Sequence, residues 1–292
     1  MLTSRIDLTD CIDTHMHTAP SIYERALDDK EAALQAREAG MKAIMIKCHY
    51  ESTVSRAYHT MKSVPGIKVY GGIVLNNFVG GLNPSIVDTV LKQGGKEIWM
   101  PTTDSAQHEK TFGIGSYGLS SMKNESKIKK SSITILNEDK ELNEKIKEII
   151  ELVSEYEAII GTSHLSNLEM LKLTEYCQNN KAKVLITHPL FIVNDLEKDF
   201  LKKLVDMGAM AEFLAATYFN LPTDHRRELK EVKAYIDYIG PEQTILASDA
   251  GQPFNPLPVE ALRVFAESLY EMGVSKKDLK IMMKENPSWL LS

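Results

Sequence analysis

Six times along this chain a helical stretch ends at a glycine or asparagine and a short, unbroken apolar run follows. "AGMKAIMIKCH", "PGIKVYGGIVL", "QGGKEIWMP", "NNKAKVLITHP", "MGAMAEFL" and "GPEQTILASDAG" all read this way. The Gly or Asn sits where a helix C-terminus needs a left-handed residue. The apolar runs do not alternate with polar residues, as expected of strands buried on both faces of a parallel sheet. Eight strands are predicted: Cys11–His17, Ala43–Cys48, Val69–Leu75, Glu97–Met100, Ala158–Gly161, Val184–His188, Ala209–Phe213 and Thr244–Ser248. Most recur at roughly the ~30-residue spacing of a βα unit. Eight such units in 292 residues predict an α/β fold, a single (β/α)8 TIM-type barrel with residues 1–292 as one domain. An open doubly wound sheet is the alternative, but its phosphate fingerprints, GxGxxG after a strand or GxxxxGKS, do not occur.

One connection breaks the rhythm. Between Pro101 and Ala158 there is far more chain than one helix requires. "DSAQHEKTFGIGSYGLSSMKNESKIKK" is polar and reads as a long loop, "SSITILNEDKEL" as a short hairpin turning at Asn137–Asp139, and "NEKIKEIIELVSEY" as an amphipathic helix. Following the fourth strand, residues 103–142 would project from the C-terminal face of a barrel as an active-site lid or insertion.

Bulk composition narrows the function. The chain is 43% hydrophobic and 25% charged, as ordinary globular proteins are. A net charge of -6 without a basic stripe argues against a nucleic-acid partner. No run of ~18 apolar residues offers a membrane span, and "MLTSRIDLTD" lacks a signal-peptide core. Cys11, Cys48 and Cys177 are scattered, lack CxxC spacing and read as reduced thiols, so a cytoplasmic location is expected. The expected partner is a small-molecule substrate. A homo-oligomer, a dimer by base rate, is the expected assembly.

The chemistry is expected in "CIDTHMHTAP". On a strand, Asp13, His15 and His17 share one face, and His17 ends it. An H-x-H pair alone is weak evidence. His164 in "AIIGTSHLS", His188 in "VLITHPL" and Asp249 in "ILASDAG", however, also follow apolar runs at their C-terminal edges, where barrel active sites form. Neutral imidazoles and a carboxylate suit zinc first, with Mn2+, Fe2+ and Ni2+ as alternatives, as one or two divalent ions. Such a site lowers the pKa of a bound water toward ~7 and holds hydroxide near an electrophile. Asp249 could bind metal through one oxygen and take a proton with the other. His188 could ligate metal or hydrogen-bond the attacking water or the oxyanion.

These motifs resemble the amidohydrolase superfamily of metal-dependent barrel hydrolases. "DTHMH", His164, His188 and Asp249 carry the resemblance, and the closing "ENPSWLL" is similar to the helix that ends many members. "KCHYEST", "GGIVLNNFVGGLNP", "WMPT", "GTSHLS", "ITHP" and "SDAGQ" resemble an uncharacterised branch, a domain of unknown function. The resemblance implies a distorted barrel with metal ligands at His15, His17, His164 and Asp249, with His188 a ligand or the water-orienting residue. Two-metal members carry a bridging carboxylated lysine or glutamate, usually on the fourth strand. Here Glu97 starts that strand and Met100 ends it, which favours a single metal.

Lys47 and His49 share a face at the end of the second strand. Lys47 could be carboxylated and bridge two metals, or bind a substrate carboxylate or phosphate with His49 beside it. The structural alternative is an ion pair with Glu212. Arg25 is a contact for an anionic substrate or a surface arginine. His108 could reach the site from the lid, and Asn76 and Asn77 could shape the pocket. His59 and His225 are expected in solvent, and "VGGLNP" is expected to be a turn. The expected activity is hydrolysis of an amide, lactone or ester-type bond in a small, anionic molecule. Metal-assisted decarboxylation or another lyase reaction, phosphoester hydrolysis and a non-catalytic metal-binding barrel are the alternatives.

Overall fold

The computed structural model describes residues 6–117, 131–219 and 227–292. Eight strands, β1 (Ile12–Met16), β2 (Ala43–Ile46), β3 (Lys68–Val74), β4 (Glu97–Trp99), β5 (Ile159–Gly161), β6 (Lys183–Thr187), β7 (Met210–Leu214) and β8 (Thr244–Ala247), pair in parallel in that order. Each predicted strand is present, with its ends shifted by at most two residues. The chain after β8 closes the ring against β1: Met16 bridges Ala250, His17 N donates to Ala250 O (2.8 Å), and Asp249 N donates to His15 O (2.7 Å). The fold is therefore the α/β barrel expected from the strand count.

Two apolar layers follow from the pleat. Ile44 and Ile46 point outward into the layer shared with the helices. Ala43 and Met45 point inward and meet Ile12, Val74, Trp99, Ile159, Leu185 and Ile245. Leu290 and Leu291, at the end of the "ENPSWLL" helix, join that inner cluster and plug the N-terminal end of the barrel. Helix starts are set by local chemistry: Asp28 with Glu31, and Ser166 with Glu169, form capping boxes.

β1 is not a regular strand. Ile12 pairs with Ala43, Asp13 with Ile44, and Met16 with Ile46, so Thr14 and His15 together oppose Met45 alone. This is a β-bulge. It corrects the expectation that Asp13, His15 and His17 share a face. Asp13 lies beside outward-facing Ile44, where its Oδ1 accepts from His15 N (3.2 Å) and Ser248 N (3.0 Å). The bulge turns both Thr14 and His15 inward.

The connection after β4 is more ordered than a loop reading allows. It contains the helix Ala106–Phe112, capped by Ser105, and a parallel bridge from Ser105 to Ile133. The expected hairpin reduces to a single antiparallel bridge, Leu136–Leu142, and Glu144–Glu155 is helical. Residues 118–130 of this connection, and His225, lie outside the described residues. "VGGLNP" is a turn, with Gly80 and Gly81 at positive φ. The three cysteines are free and buried. No helix among the described residues is long and apolar enough to cross a membrane.

Candidate metal centre

Three side chains converge at the C-terminal mouth of the barrel. His15 Nε2 and His17 Nε2 lie 3.3 and 3.0 Å from Asp249 Oδ1. Each arrives by a different local device. The bulge turns His15 inward. His17 follows the strand's end. Asp249 takes a left-handed backbone (φ 48°) just past β8. His188, just past β6, is also left-handed (φ 38°). Such strain in non-glycine residues concentrates where function requires it.

The second ring nitrogens assign the tautomers. His17 Nδ1 lies 3.0 Å from Lys47 O, a carbonyl that can only accept. His15 Nδ1 lies 3.0 Å from Glu212 Oε2, while Thr14 Oγ1 donates to Glu212 Oε1 (2.6 Å). Both rings therefore carry their proton on Nδ1 and a lone pair on Nε2. Burial pushes the His15 imidazole down to about 3 and holds His17 well below its ordinary value, so both are neutral near pH 7. Two lone pairs and a carboxylate oxygen thus face one another with no hydrogen between them. Such a cluster repels itself unless a cation sits within it. The residues fit a divalent metal, and they are the one group among the described residues whose ligand atoms lie within 4.8 Å of one another.

His164 and His188 line the same cavity, and their ring centroids are 4.9 Å apart. Their ligand atoms are not part of the three-atom group. Burial holds His188 down to about 3, and its Nδ1 is buried without a hydrogen-bond partner.

Lys47 lies fully inside the barrel wall with its Nζ over the Trp99 ring, 5.3 Å from the centroid. It forms no ion pair with Glu212, whose two oxygens are taken by Thr14 and His15. Burial pushes its ammonium below the ordinary value, and Asp249, Glu97 and Glu212 pull it back. Glu97 faces inward beneath the mouth, and burial and Glu212 push its carboxyl well up. Gly161 makes room for it: a Cβ there would lie 2.5 Å from Glu97 Oε1. His49 Nδ1 meets Thr102 Oγ1 (2.8 Å), which also accepts from Asn76 Nδ2 (2.7 Å). The Thr102 hydroxyl hydrogen can then go to His49 Nδ1, leaving His49 Nε2–H as a donor near Tyr117 OH (3.4 Å).

Arg25 lines the cavity, and its Nε is buried without a partner. Asn76 acts behind the pocket, as the Thr102 contact shows, and Asn77 is tied to Asp104 through its backbone N–H (2.8 Å). His59 is exposed on the helix Val54–Ser63. Tyr23, Tyr117, Phe191 and Gln252 also line the cavity and carry no pattern that singles them out in the sequence. They reach the mouth from loops, by tertiary paths with no local period.

No curated protein matches this sequence. Solved structures share its fold at low identity. An amidohydrolase from Pseudomonas aeruginosa is 12% identical, with TM-score 0.61, over 97% of this chain and 96% of that one. A lactonase from Listeria monocytogenes is 15% identical, with TM-score 0.58, over 98% and 95%. A dipeptidase described as a metallopeptidase is 12% identical, with TM-score 0.65, over 97% and 98%. These likenesses are of fold, and the barrel is the one that amidohydrolases use. One family model matches, over residues 10–212, more than two thirds of the chain. The chain therefore belongs to the family described as "Family of unknown function (DUF6282)".

Proposed function

We propose that this chain is a metal-dependent hydrolase of the amidohydrolase type, cleaving an amide, lactone or ester bond in a small anionic molecule. The observation that carries the reading is the cluster of proton-free acceptors, His15 Nε2, His17 Nε2 and Asp249 Oδ1, at a barrel mouth. These three, with His164, would hold a divalent ion, zinc first, and His188 is either a further ligand or the residue that orients the water and the oxyanion. The fold neighbours include a lactonase and a metallopeptidase, which supports the class. When bound, such an ion supplies a Lewis acid that lets water act as a nucleophile at neutral pH. One ion is favoured, because β4 offers Met100 at its C-terminal edge and Glu97 is set deeper, beside Gly161.

The chain's own groups divide the remaining work. Asp249 Oδ2 accepts no hydrogen bond among the described residues, and its side chain is 22% exposed to the cavity, so it can take a proton from water. His188, neutral beside it, can donate to developing negative charge on the substrate oxygen. Among the described residues Lys47 and Arg25 have no carboxylate partner within 4.0 Å, and they receive the anionic group of the substrate. His49 Nε2–H adds a neutral donor.

The test combines elemental analysis with turnover on a panel of chromogenic esters, lactones, amides and phosphates. About one equivalent of metal is expected, lost in Asp249→Ala and kept in Lys47→Ala. Turnover should fall with Asp249→Ala, while Lys47→Ala should mainly raise KM. Two equivalents with one lost in Lys47→Ala would instead mean a bridging carboxylated Lys47. No metal under any loading condition would end the hydrolase reading.

A further inference from the structure

The helix Ala106–Phe112 grips His164 at two points. Ser105, its cap, accepts from His108 N (3.0 Å) and donates its hydroxyl hydrogen to His164 O (2.7 Å). One turn on, the buried His108 ring places Nδ1 2.7 Å from His164 Nδ1 and Nε2 2.6 Å from Ser116 O. The two rings are nearly parallel, at 13°, with centroids 4.8 Å apart. A nitrogen–nitrogen separation of 2.7 Å is too short for rings stacked face to face, so the contact lies close to both ring planes. That is the geometry of an N–H···N hydrogen bond.

The direction of that bond follows from its far end. Ser116 O can only accept, so His108 carries a proton on Nε2. His108 is fully buried and no carboxylate contacts it among the described residues, so an imidazolium there would be an unpaired buried charge and the ring is neutral. Its Nδ1 is therefore a lone pair. The hydrogen in the contact belongs to His164 Nδ1, and His164 Nε2 is left as a lone pair on a ring that lines the cavity.

We propose that His108 is a positioning residue for the metal centre, holding His164 in the Nδ1–H form so that Nε2 is presented as a ligand. The inference rests on the metal reading above. It places His164 under the rule that already governs the other two imidazoles. His15 donates to a carboxylate, His17 to a carbonyl and His164 to a neutral imidazole, and in each the cavity-facing nitrogen is bare. Such outer partners fix ring orientation and raise ligand basicity. His108 differs in coming from the connection after β4, so that connection contributes to the centre as well as walling the cavity. The surrounding backbone is built to keep His164 still: Ser163 is left-handed (φ 49°), and Asn194 Nδ2 donates to Ser163 O (3.0 Å) and Leu165 O (3.3 Å).

Two measurements decide it. In metal-free protein labelled with 15N-histidine, long-range proton–nitrogen spectra should show His164 protonated on Nδ1 and bare on Nε2. The opposite tautomer overturns the proposal. Zn2+ affinity by chelator competition should fall roughly 10–100-fold in His108→Leu and recover in part in His108→Asn, whose carbonyl oxygen can accept. The absorption spectrum of the Co2+-loaded protein should shift in His108→Leu alone. Wild-type Zn2+ affinity and an unchanged Co2+ spectrum in both variants would reduce His108 to a packing role, whatever their melting temperatures. If His108→Leu does not fold, the nitrogen spectrum of the wild type decides alone. A wild-type chain that takes up no zinc sinks the metal reading and this inference together, whereas unchanged affinity in the variants sinks only the latter.

Discussion

At His15 two demands meet in one ring: Nε2 must be bare toward Asp249, and Nδ1 must find a buried acceptor, which Glu212 supplies. Glu212→Gln keeps the shape and removes the charge. Metal affinity is expected to fall about 10-fold or more by chelator competition, because the carboxylate strengthens the imidazole as a donor. An unchanged affinity would show that Glu212 only fills space. The imidazoles and Asp249 were legible because each ends an apolar run, and strand ends form one rim. Glu212 enters the sequence reading only as the alternative ion-pair partner of Lys47, whereas the structure gives it to Thr14 and His15. Its bond to His15 depends on the bulge in β1, which no spacing in "CIDTHMHTAP" announces. His108 and Arg25 stood among several polar loop residues, and only the folded path of the chain separates them from solvent.

Among the elements, β1 and the segment after β8 depend on each other. Gly251 has φ 122°, and a Cβ there would lie 1.7 Å from His17 O. Gly251→Ala should therefore push the "SDAGQ" segment off β1 and displace Asp249. Both a lowered urea midpoint and lost metal binding are expected, and wild-type values for both would refute the dependence. The strands themselves were legible from pattern, since eight short apolar runs, six of them after a helix-ending glycine or asparagine, leave few architectures. The helix Ala106–Phe112 was not, because seven residues in a polar, glycine-bearing stretch carry too short a period to stand out. The bulge is also open to test by deletion. Removing Thr14 would restore regular alternation with His15 alone opposite inward-facing Met45, but it would take away the hydroxyl that donates to Glu212 Oε1, so metal affinity should fall through Glu212 rather than through a turned His15.

For the molecule as a whole, acid is the expected weakness. His15, His17, His49, His108, His164 and His188 are all held below their ordinary value, chiefly by burial. Below about pH 6.5 the unfolded chain binds protons that the native chain refuses, and each such group removes about 1.4 kcal/mol of stability per pH unit. Three buried carboxyls, Asp13, Glu97 and Glu212, are raised, Asp13 to about 7. Between about pH 4 and 7 they act the other way, because the native chain keeps their protons. Six groups against three leave a net loss on acidification. Metal-free protein should unfold at lower urea at pH 5 than at pH 7, and equal midpoints would contradict this.

The far end of the barrel has a separate role. Leu290 plugs the inner cluster, and Lys183 Nζ donates to Leu290 O (3.1 Å) and Ser292 O (2.8 Å). Leu290→Ala should cost about 2–5 kcal/mol in urea unfolding while leaving metal affinity unchanged. A parallel loss of affinity would show that the two ends are coupled. With the plug and the metal centre at opposite ends of the ring, changes at one should add to changes at the other. A library of mouth-loop variants could then be rescued wholesale by improving the plug once, without re-selecting for chemistry.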